Sequence, residues 1–403
     1  MIDLDAIRAA QRLIAPVVVR TPLEESRWLS GVVGGRVLLK AENLQRAGSF
    51  KIRGAYVRMS RLTPVERAAG VVAASAGNHA QGVALAAQLL DIPAVVYMPR
   101  GASIPKEAAT RGYGAEVRIA GATIDEALTH AEAYAAETGA TLVHPFDHPD
   151  IVAGQGTLGL ELLEQCSELA SVVVPVGGGG LAAGVAHAIR TVRPDVRIVG
   201  VQAAAAAAYP ASLRAGAPVA LDRMATIADG IAVARPGNLP FAHVRAEVDE
   251  VVTVSEDQIA HAVLHLMERA KLTVEPAGAV AVAALLATPA AFATPVCAVL
   301  SGGNIDPLLM MNVIRHGLAA SGRYLSVRVR IPDRTGGLAG LLAELVRCEV
   351  NVQEVAHDRA TRHALGEVDV SLQLETRGPE HTRAVVATMR EHYLVLEHDA
   401  ERP

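Results

Sequence analysis

Between positions 172 and 181 the chain reads Val172-Val173-Val174-Pro175-Val176-Gly177-Gly178-Gly179-Gly180-Leu181. A run of β-branched residues leads into four glycines, and an apolar periodic segment begins at Leu181. This order predicts a β-strand, a turn and an α-helix. Backbone N–H groups in such a turn can converge on a dianion, and the positive end of the helix dipole adds to the attraction. We expect Gly177, Gly178, Gly179 and Gly180 to form a phosphate site, with an ordinary tight turn as the alternative.

The same order of strand, turn and helix occurs twice more. Ser75-Ala76-Gly77-Asn78-His79 follows the apolar run 71–74, and Ser301-Gly302-Gly303-Asn304 follows the run 296–300. Together with further runs at 94–98 and 198–202, the pattern predicts parallel βαβ units with helices on both faces of one sheet. Ligands bind at the carboxyl ends of the strands in such sheets, so we expect the three turns to share a site.

A dinucleotide-binding loop is the rival interpretation of the glycine run. The usual Gly-x-Gly-x-x-Gly pattern is poorly matched, and the neutral Gln202 stands near the expected position of the acidic residue that binds a ribose. A phosphate site is therefore favoured over a dinucleotide site.

Lys51 is the candidate nucleophile. It follows Ser49, which we expect to cap the helix that carries the lysine, and apolar side chains flank it at Phe50 and Ile52. An isolated lysine is usually a solvated surface residue. In a pocket, however, loss of hydration lowers the pKa of the amine and provides the free base that a Schiff base requires.

Composition limits the classes of protein to be considered. The 403 residues are 51% hydrophobic but only 3% aromatic, which favours close helix-to-sheet packing over a sandwich or barrel. A net charge of −5 without a basic run argues against nucleic acid or an anionic membrane as a partner. The acidic start, Met1 to Asp5, is unlike a secretory signal, so we expect a cytoplasmic enzyme with a small substrate. Three scattered cysteines suggest neither disulfides nor a zinc site.

The pattern changes after residues 317–323, which form the best candidate for a linker. Alternating and helical segments then follow in the order βαββαβ, which is a ferredoxin-like order and enough for one small domain. We therefore predict a domain at residues 1–322 that carries the three turns and a separate domain at residues 323–403.

Ser49-Phe50-Lys51, Ser75-Ala76-Gly77-Asn78-His79, the four glycines and Ser301-Gly302-Gly303-Asn304 stand in an order that resembles the fold-type II pyridoxal phosphate enzymes, and among them the threonine dehydratases. The resemblance covers about residues 4–318. It implies an α/β fold like that of the tryptophan synthase β-subunit, with two open parallel-sheet subdomains, and pyridoxal 5′-phosphate as cofactor. It also implies that Lys51 binds the cofactor as a Schiff base and then removes the Cα proton of the substrate.

The remaining site residues follow from the same resemblance. The implied cofactor contacts are Phe50, Lys51, Asn78, Gly177, Gly178, Gly179, Gly180, Leu181 and Ser301, and the implied substrate contacts are Ser75, Ala76, Gly77 and His79. Ser301 would meet the ring nitrogen with a neutral hydroxyl, which favours β-elimination over transamination. For Asn78, His79 and Ser301, ordinary positions at the start of a helix are the alternative.

The reaction class is open to alternatives. Serine racemases, which this chain also resembles, typically have a serine where Ala76 stands, and alanine cannot transfer a proton. Dehydration and deamination of L-threonine, with L-serine as a secondary substrate, is therefore favoured over racemisation or β-replacement. An inactive amino-acid sensor is the alternative of another class. Whether the role is biosynthetic or catabolic is not decided by the sequence.

We expect no metal site. His144, Asp147 and His148 are interleaved with prolines and have no obvious fourth ligand, so they are interpreted as a loop cluster. The carboxylates that bind a divalent ion in animal racemases are missing at Gln202 and at the six alanines 203–208. A monovalent cation held by backbone carbonyls stays open.

The C-terminal domain is similar to the ACT domain, a regulatory module that binds amino acids at subunit interfaces. The resemblance rests on Asp333-Arg334-Thr335-Gly336-Gly337-Leu338 and on Asn351-Val352. It implies effector contacts by Asp333, Arg334, Gly336, Leu338 and Asn351, with Asn351 facing the turn at residues 333–337. It also implies a homo-oligomer, either a dimer or a tetramer. A packing domain with an empty site is the alternative.

Overall fold

The computed structural model describes residues 1–358 and 366–398. The chain divides into two compact units, Met1–Met310 and Met311–Pro403. This division falls inside a helix, Pro307–Ala320, ahead of the boundary predicted after residue 322. The predicted linker is therefore helical up to residue 320. Residues 359–365 and 399–403 of the predicted C-terminal domain lie outside the described residues.

The helices and strands follow one another through both units. The helices are Leu4–Ile14 (α1), Arg27–Val33 (α2), Lys51–Ser60 (α3), Pro64–Ala69 (α4), Asn78–Leu90 (α5), Ile104–Gly112 (α6), Ile124–Thr138 (α7), Pro149–Gln165 (α8), Gly180–Val192 (α9), Ala208–Ala215 (α10), Asn238–Glu247 (α11), Glu256–His265 (α12), Pro276–Ala287 (α13), Pro307–Ala320 (α14), Gly337–Arg347 (α15) and Pro379–His392 (α16). The strands are Leu23–Glu25 (β1), Val37–Lys40 (β2), Val71–Ala74 (β3), Ala94–Met98 (β4), Glu116–Ile119 (β5), Thr141–Leu142 (β6), Ser171–Pro175 (β7), Arg197–Ala203 (β8), Glu250–Val254 (β9), Val296–Val299 (β10), Tyr324–Pro332 (β11), Asn351–Asp358 (β12), Glu367–Glu375 (β13) and Leu394–His398 (β14).

The first unit contains two open sheets. One has the order β1-β2-β10-β7-β8-β9 and is parallel apart from the antiparallel edge strand β1. The other has the order β5-β4-β3-β6 and is parallel throughout. The first unit thus has the two open parallel-sheet subdomains that the sequence resemblance implied.

The prediction of a single sheet from the strand pattern is wrong. The turn at Ser75 follows β3 in the smaller sheet, whereas the four glycines and Ser301 follow β7 and β10 in the larger one. Alternation of strands and helices gives the parallel direction of each strand but not the sheet that it joins. The chain leaves the larger sheet after β2, builds the smaller sheet, and returns at β7.

Small residues allow the helices of the first unit to pack closely. A Cβ atom on Gly184 of α9 would overlap the backbone of α8 at Val152 and Gly156, and one on Gly154 of α8 would lie 2.6 Å from the Cα atom of Gly54 in α3. The most apolar helix, α13, is buried from Pro276 to Leu285. In the described residues, no helix is both long and apolar enough to cross a membrane.

The second unit has a ferredoxin-like fold. Its antiparallel sheet has the order β12-β13-β11-β14, and α15 and α16 complete the predicted βαββαβ order. The apolar faces of the strands and helices meet in one core, which includes Leu325, Val329, Leu341, Leu372 and Met389.

Asn351 does not face the turn at residues 333–337 within one chain, contrary to the sequence prediction. Asn351 pairs with Glu375 of β13, and Tyr324 at the start of β11 pairs with the same residue. The turn follows Pro332 at the other end of β11, roughly 26 Å along the strand. The prediction placed the start of β12 beside the turn. In the structure β12 runs in the same direction as β11, so Asn351 lies near the start of β11 and the turn lies at the other end. The side chain of Asn351 instead donates a hydrogen bond to Glu375 at 3.1 Å.

Candidate active site

A cavity of about 650 Å³ opens between the two sheets of the first unit, at the carboxyl ends of their strands. Its lining includes every residue predicted to contact cofactor or substrate in that unit: Phe50, Lys51, Ser75, Ala76, Gly77, Asn78, His79, Gly177, Gly178, Gly179, Gly180, Leu181 and Ser301. Segments that are distant in sequence, from two different sheets, therefore form one site. The volume is typical of a small-molecule site.

Lys51 begins α3 and extends into the cavity, where its Nζ donates a hydrogen bond to the carbonyl of Pro145 at 3.0 Å. Burial lowers the pKa of Lys51 from 10.5 to about 8, although the charge of Glu275 opposes the shift. No carboxylate forms an ion pair with Lys51 in the described part of the chain. The amine is thus partly buried and available for reaction.

Ser49 does not cap α3, contrary to the prediction. The residue before the helix is Phe50, which makes no side-chain capping bond, and the hydroxyl of Ser49 has no hydrogen-bond partner in the described chain. Ser49 is fully buried in extended conformation and pairs with Gly302 in an isolated β-bridge. It links the lysine to the end of β10 through the backbone, because Phe50 N donates to the carbonyl of Ser301.

A buried ion network holds α3 on the side away from the cavity. Arg53 forms two hydrogen bonds of 2.8 Å with Glu42 and one of 2.8 Å with Glu161 of α8. Lys40 of β2 completes the network through Glu161. Burial raises the pKa of Glu42, but Arg53 outweighs this effect and holds the pKa below its ordinary value. Two cations and two anions therefore compensate each other around the base of the lysine helix.

The four glycines fit a dianion for steric reasons. Gly179 has a φ of 98°, which favours glycine, and no side chain caps α9. A Cβ atom on Gly178 would overlap the ring of Phe146, and one on Gly179 would overlap the hydroxyl of Tyr209. The N–H groups at the start of α9 are thus left for a ligand that approaches the backbone closely.

The turn at Ser75 offers a second anion site. Gly77 precedes α5 without a side-chain cap, and Gly77 N donates to the hydroxyl of Ser75 at 3.1 Å. His79 Nε2 donates to the carbonyl of Val143 at 2.8 Å. Burial, assisted by the charge of Lys51, lowers the pKa of His79 to about 3, so the ring is neutral and Nδ1 carries no proton. His79 can therefore serve a carboxylate only through its backbone N–H.

The sequence did not identify several polar residues of the cavity. They include Glu275 at the start of α13, and the ion pair between Lys106 of α6 and Asp229, whose Nζ and Oδ2 atoms are 2.7 Å apart. Single carboxylates and lysines in loops carry no motif. The one signal that could have been used was the position of Glu275, which directly precedes the most apolar helix of the chain.

The predicted loop cluster serves local backbone structure. His144 Nδ1 accepts hydrogen bonds from the backbone N–H groups of Phe146 and Asp147, and the carboxylate of Asp147 accepts from Asn238 and Leu239 at the start of α11. His148 Nδ1 accepts from Asp150 and caps α8. These contacts show that His144, Asp147 and His148 hold the backbone of the loop and the starts of α8 and α11.

Within the described residues, His187, His243 and Glu247 lie close enough to share a metal ion. Ile2 N donates to His243 Nε2 at 3.0 Å, so the proton of neutral His243 is on Nδ1. His243 Nδ1 is 3.1 Å and His187 Nδ1 is 2.7 Å from the carboxylate of Glu247. The three side chains thus form a hydrogen-bonded clamp between α9, α11 and the N-terminal residues.

The lysine amine, the two uncapped helix starts and the hydroxyl of Ser301 lie at one cavity, and they are groups that a phosphorylated aldehyde would need. A family model described as pyridoxal-phosphate dependent enzyme matches residues 14–302. The chain belongs to this family. It is 47% identical to an L-threonine ammonia-lyase of Thermotoga maritima over 386 residues, which are 96% of each chain.

Solved structures agree with this assignment. The processed form of threonine deaminase isoform 2 from Solanum lycopersicum has a TM-score of 0.75 and 39% identity, and the match covers 78% of this chain and 86% of that one. Maize serine racemase has a TM-score of 0.74 and 38% identity, with 77% and 96% covered.

The site suits pyridoxal phosphate on its own geometry. The cradle at Gly178 and Gly179 has no room for a Cβ atom, and α9 has no side-chain cap where a phosphate would bind. Lys51 would supply the amine for the aldehyde. The phosphate and the aldehyde of pyridoxal phosphate would therefore each meet a binding group in the same cavity.

Proposed function

We propose that this protein is a pyridoxal phosphate-dependent threonine ammonia-lyase. It converts L-threonine into 2-oxobutanoate and ammonia and, as a secondary activity, L-serine into pyruvate. The observation that carries the proposal is the Lys51 amine, which extends into a cavity with two uncapped helix starts. The chain that forms this cavity shares 47% identity with a relative of that name along 96% of its length.

Each cavity segment has a role in this proposal. When bound, pyridoxal phosphate withdraws electrons from Cα of an attached amino acid and so stabilises negative charge there. The N–H groups at the start of α9 hold the phosphate, and those at the start of α5 hold the substrate carboxylate. Lys51 removes the Cα proton, for which its lowered pKa suits it at neutral pH.

The choice of elimination over racemisation rests on Ala76. This residue lines the cavity beside Ser75 and Gly77, and its methyl group cannot deliver a proton to Cα. Ser301 would place a neutral hydroxyl at the ring nitrogen. With this neutral partner at the ring nitrogen, loss of the β-hydroxyl competes well with transamination.

Keto-acid release from L-threonine and L-serine by the purified full chain tests the proposal directly. We expect 2-oxobutanoate from threonine and slower formation of pyruvate from serine, with turnover abolished in Lys51→Ala. The recovered substrate should contain no D-isomer. A mutant that retained more than a tenth of parental turnover, or a parent that released D-serine instead of keto acid, would overturn the proposal.

The same proposal gives the second unit a regulatory role. The turn at residues 333–337 precedes α15, and Gly336 has a φ of 87° with no side-chain cap on the helix. Asp333, Arg334, Gly336 and Leu338 would hold an amino-acid effector at this end of the sheet. Asn351 is too distant in the same chain to contact the same small molecule, so its participation would require a second copy of the chain in a homo-oligomer.

A further inference from the structure

Glu275 is a buried carboxylic acid in the cavity to which no role has been given above. Only 2% of its surface is exposed, and it directly precedes α13. Its backbone N–H donates to the carbonyl of Gly302 at 3.1 Å, which fixes the residue beside the end of β10. A Cβ atom on Gly302 would overlap its Oε1 atom, so the glycine leaves room for the carboxyl group.

The side chain of Glu275 contacts Asn78. Asn78 Nδ2 donates to Glu275 Oε1 at 2.5 Å, and Asn78 Oδ1 accepts from Asn304 Nδ2 at 2.9 Å. Asn304 is held in turn by a bond of 2.7 Å to the carbonyl of Ala47. The amide of Asn78 is thus oriented from both of its ends.

This orientation decides what Asn78 can offer to the cavity. Asn304 uses one of the two lone pairs on the amide oxygen, and Glu275 uses one of the two hydrogens on Nδ2. The second Nδ2 hydrogen can be donated to an oxygen of a ligand, so Asn78 offers the cavity a hydrogen-bond donor of fixed direction.

We infer that Glu275 is a positioning residue that acts through Asn78 and makes its amide a hydrogen-bond donor toward the bound cofactor. The carboxyl group has an oxygen that can accept from Nδ2 whether it is ionised or neutral, whereas an apolar side chain leaves the amide free to rotate and a buried hydrogen unpaired. The inference depends on the proposed function only through the presence of the cofactor.

The electrostatic surroundings are consistent with this role. Burial raises the pKa of Glu275 to about 7, and the charge of Asp229 adds to this effect. Lys106, the bond from Asn78 and Lys51 act in the opposite direction. Both below and above neutral pH, Glu275 therefore has an oxygen that can accept the hydrogen bond from Asn78.

A double-mutant cycle on the full chain tests the inference, with cofactor affinity and the circular dichroism of the bound cofactor as readouts. Glu275→Leu should weaken pyridoxal phosphate binding at least tenfold and change the dichroic band. Glu275→Gln keeps an acceptor oxygen and should restore affinity to within about threefold of the parent. In an Asn78→Ala background, Glu275→Leu should have little further effect, because the residue acts through Asn78.

Three outcomes would overturn the inference: parental affinity in Glu275→Leu, equal damage in the glutamine and leucine variants, or an undiminished effect of Glu275→Leu in the Asn78→Ala background. If Glu275→Leu does not fold, Asn304→Ala tests the other end of the same amide and should also weaken binding. The matched control is Glu247→Leu, a carboxylate outside the cavity, which should lower stability but leave affinity unchanged. These readouts do not use threonine, so they can fail while the proposed reaction stands.

Discussion

At the scale of single residues, Lys51 shows how burial makes an amine reactive. At neutral pH, a pKa of about 8 in place of 10.5 makes the free base roughly 300 times more populated than in an exposed lysine. The hydrogen bond to the carbonyl of Pro145 keeps the amine inside the cavity, and the charge of Glu275 only partly offsets the effect of burial.

The shifted pKa predicts the pH dependence of cofactor uptake. Only the unprotonated amine attacks an aldehyde, so the uptake rate of cofactor-free protein should rise about tenfold per pH unit below pH 8 and level off above it. Stopped-flow absorbance at several pH values measures this rate. A rise that continued toward pH 10.5 would show that Lys51 is not desolvated.

Substitution of Gly178 tests whether the four glycines bind the phosphate. In Gly178→Ala the new methyl group would displace the ring of Phe146 into the cavity, so we expect the affinity for pyridoxal phosphate to fall at least tenfold. Gly31→Ala in α2 is the matched control, because its Cβ atom would meet no atom within 4 Å. That variant should bind the cofactor like the parent and gain up to about 1 kcal/mol of stability. Equal affinities in the two variants would place the phosphate elsewhere.

The sequence predicted the residues that lie in motifs and missed those that do not. The four glycines and Ser301 were singled out because each glycine-rich turn directly follows an apolar β-branched run, and the structure places all of them in the lining of the cavity. Glu275 was missed because its role depends on contacts with Asn78, nearly two hundred positions earlier in the chain. No local pattern records such a contact.

At the scale of helices and strands, the predictions were good within an element and failed between elements. The strand at 94–98 begins and ends where the sequence predicted, since its apolar run is bounded by prolines. The assignment of all strands to one sheet was wrong because pairing depends on non-local contacts. The cap at Ser49 was wrong for a similar reason, because β-bridging to Gly302 places that residue in extended conformation.

The clamp of α9 and α11 gives a prediction of stability against pH. Burial raises the pKa of Glu247, but hydrogen bonds from His243 and His187 outweigh it and hold the pKa below its ordinary value. Stability from the carboxylate is therefore fully present above about pH 4.5 and is lost as the pH falls through the lower value in the folded state. Glu247→Gln should reduce the free energy of unfolding by about 1 to 3 kcal/mol at pH 7.

Urea unfolding of both proteins between pH 7 and pH 3.5 measures this difference, which should shrink toward the acid end. A difference that stays constant across this range would mean that the charge of Glu247 contributes nothing and that only its shape matters. The mutation lies outside the cavity, so cofactor content should be equal in both proteins.

At the scale of the whole chain, the two units have separate cores and different architectures. The first unit alone contains the residues of the cavity. We therefore predict that chemistry needs only that unit and that the second unit adds regulation.

The order of helices and strands in the second unit was predicted correctly from sequence, because the hydrophobic residues of each element have a clear spacing. The position of Asn351 was not predicted, since it depends on the register across β13, which is a non-local property.

Truncation separates the two roles. A chain that ends at Ser321 keeps α14 complete and removes β11 and everything after it. It should turn over threonine at a rate near that of the full chain and lose any response to isoleucine or valine. In the full chain, such an effector should change the affinity for threonine by about 1 to 3 kcal/mol, or 5- to 150-fold.

Arg334→Ala in the full chain should weaken the response to the effector without changing basal turnover, because the residue lies in the turn of the second unit. A truncated enzyme that still responded would place the effector in the first unit, and a full chain that responded to no amino acid would leave the second unit a role in packing alone.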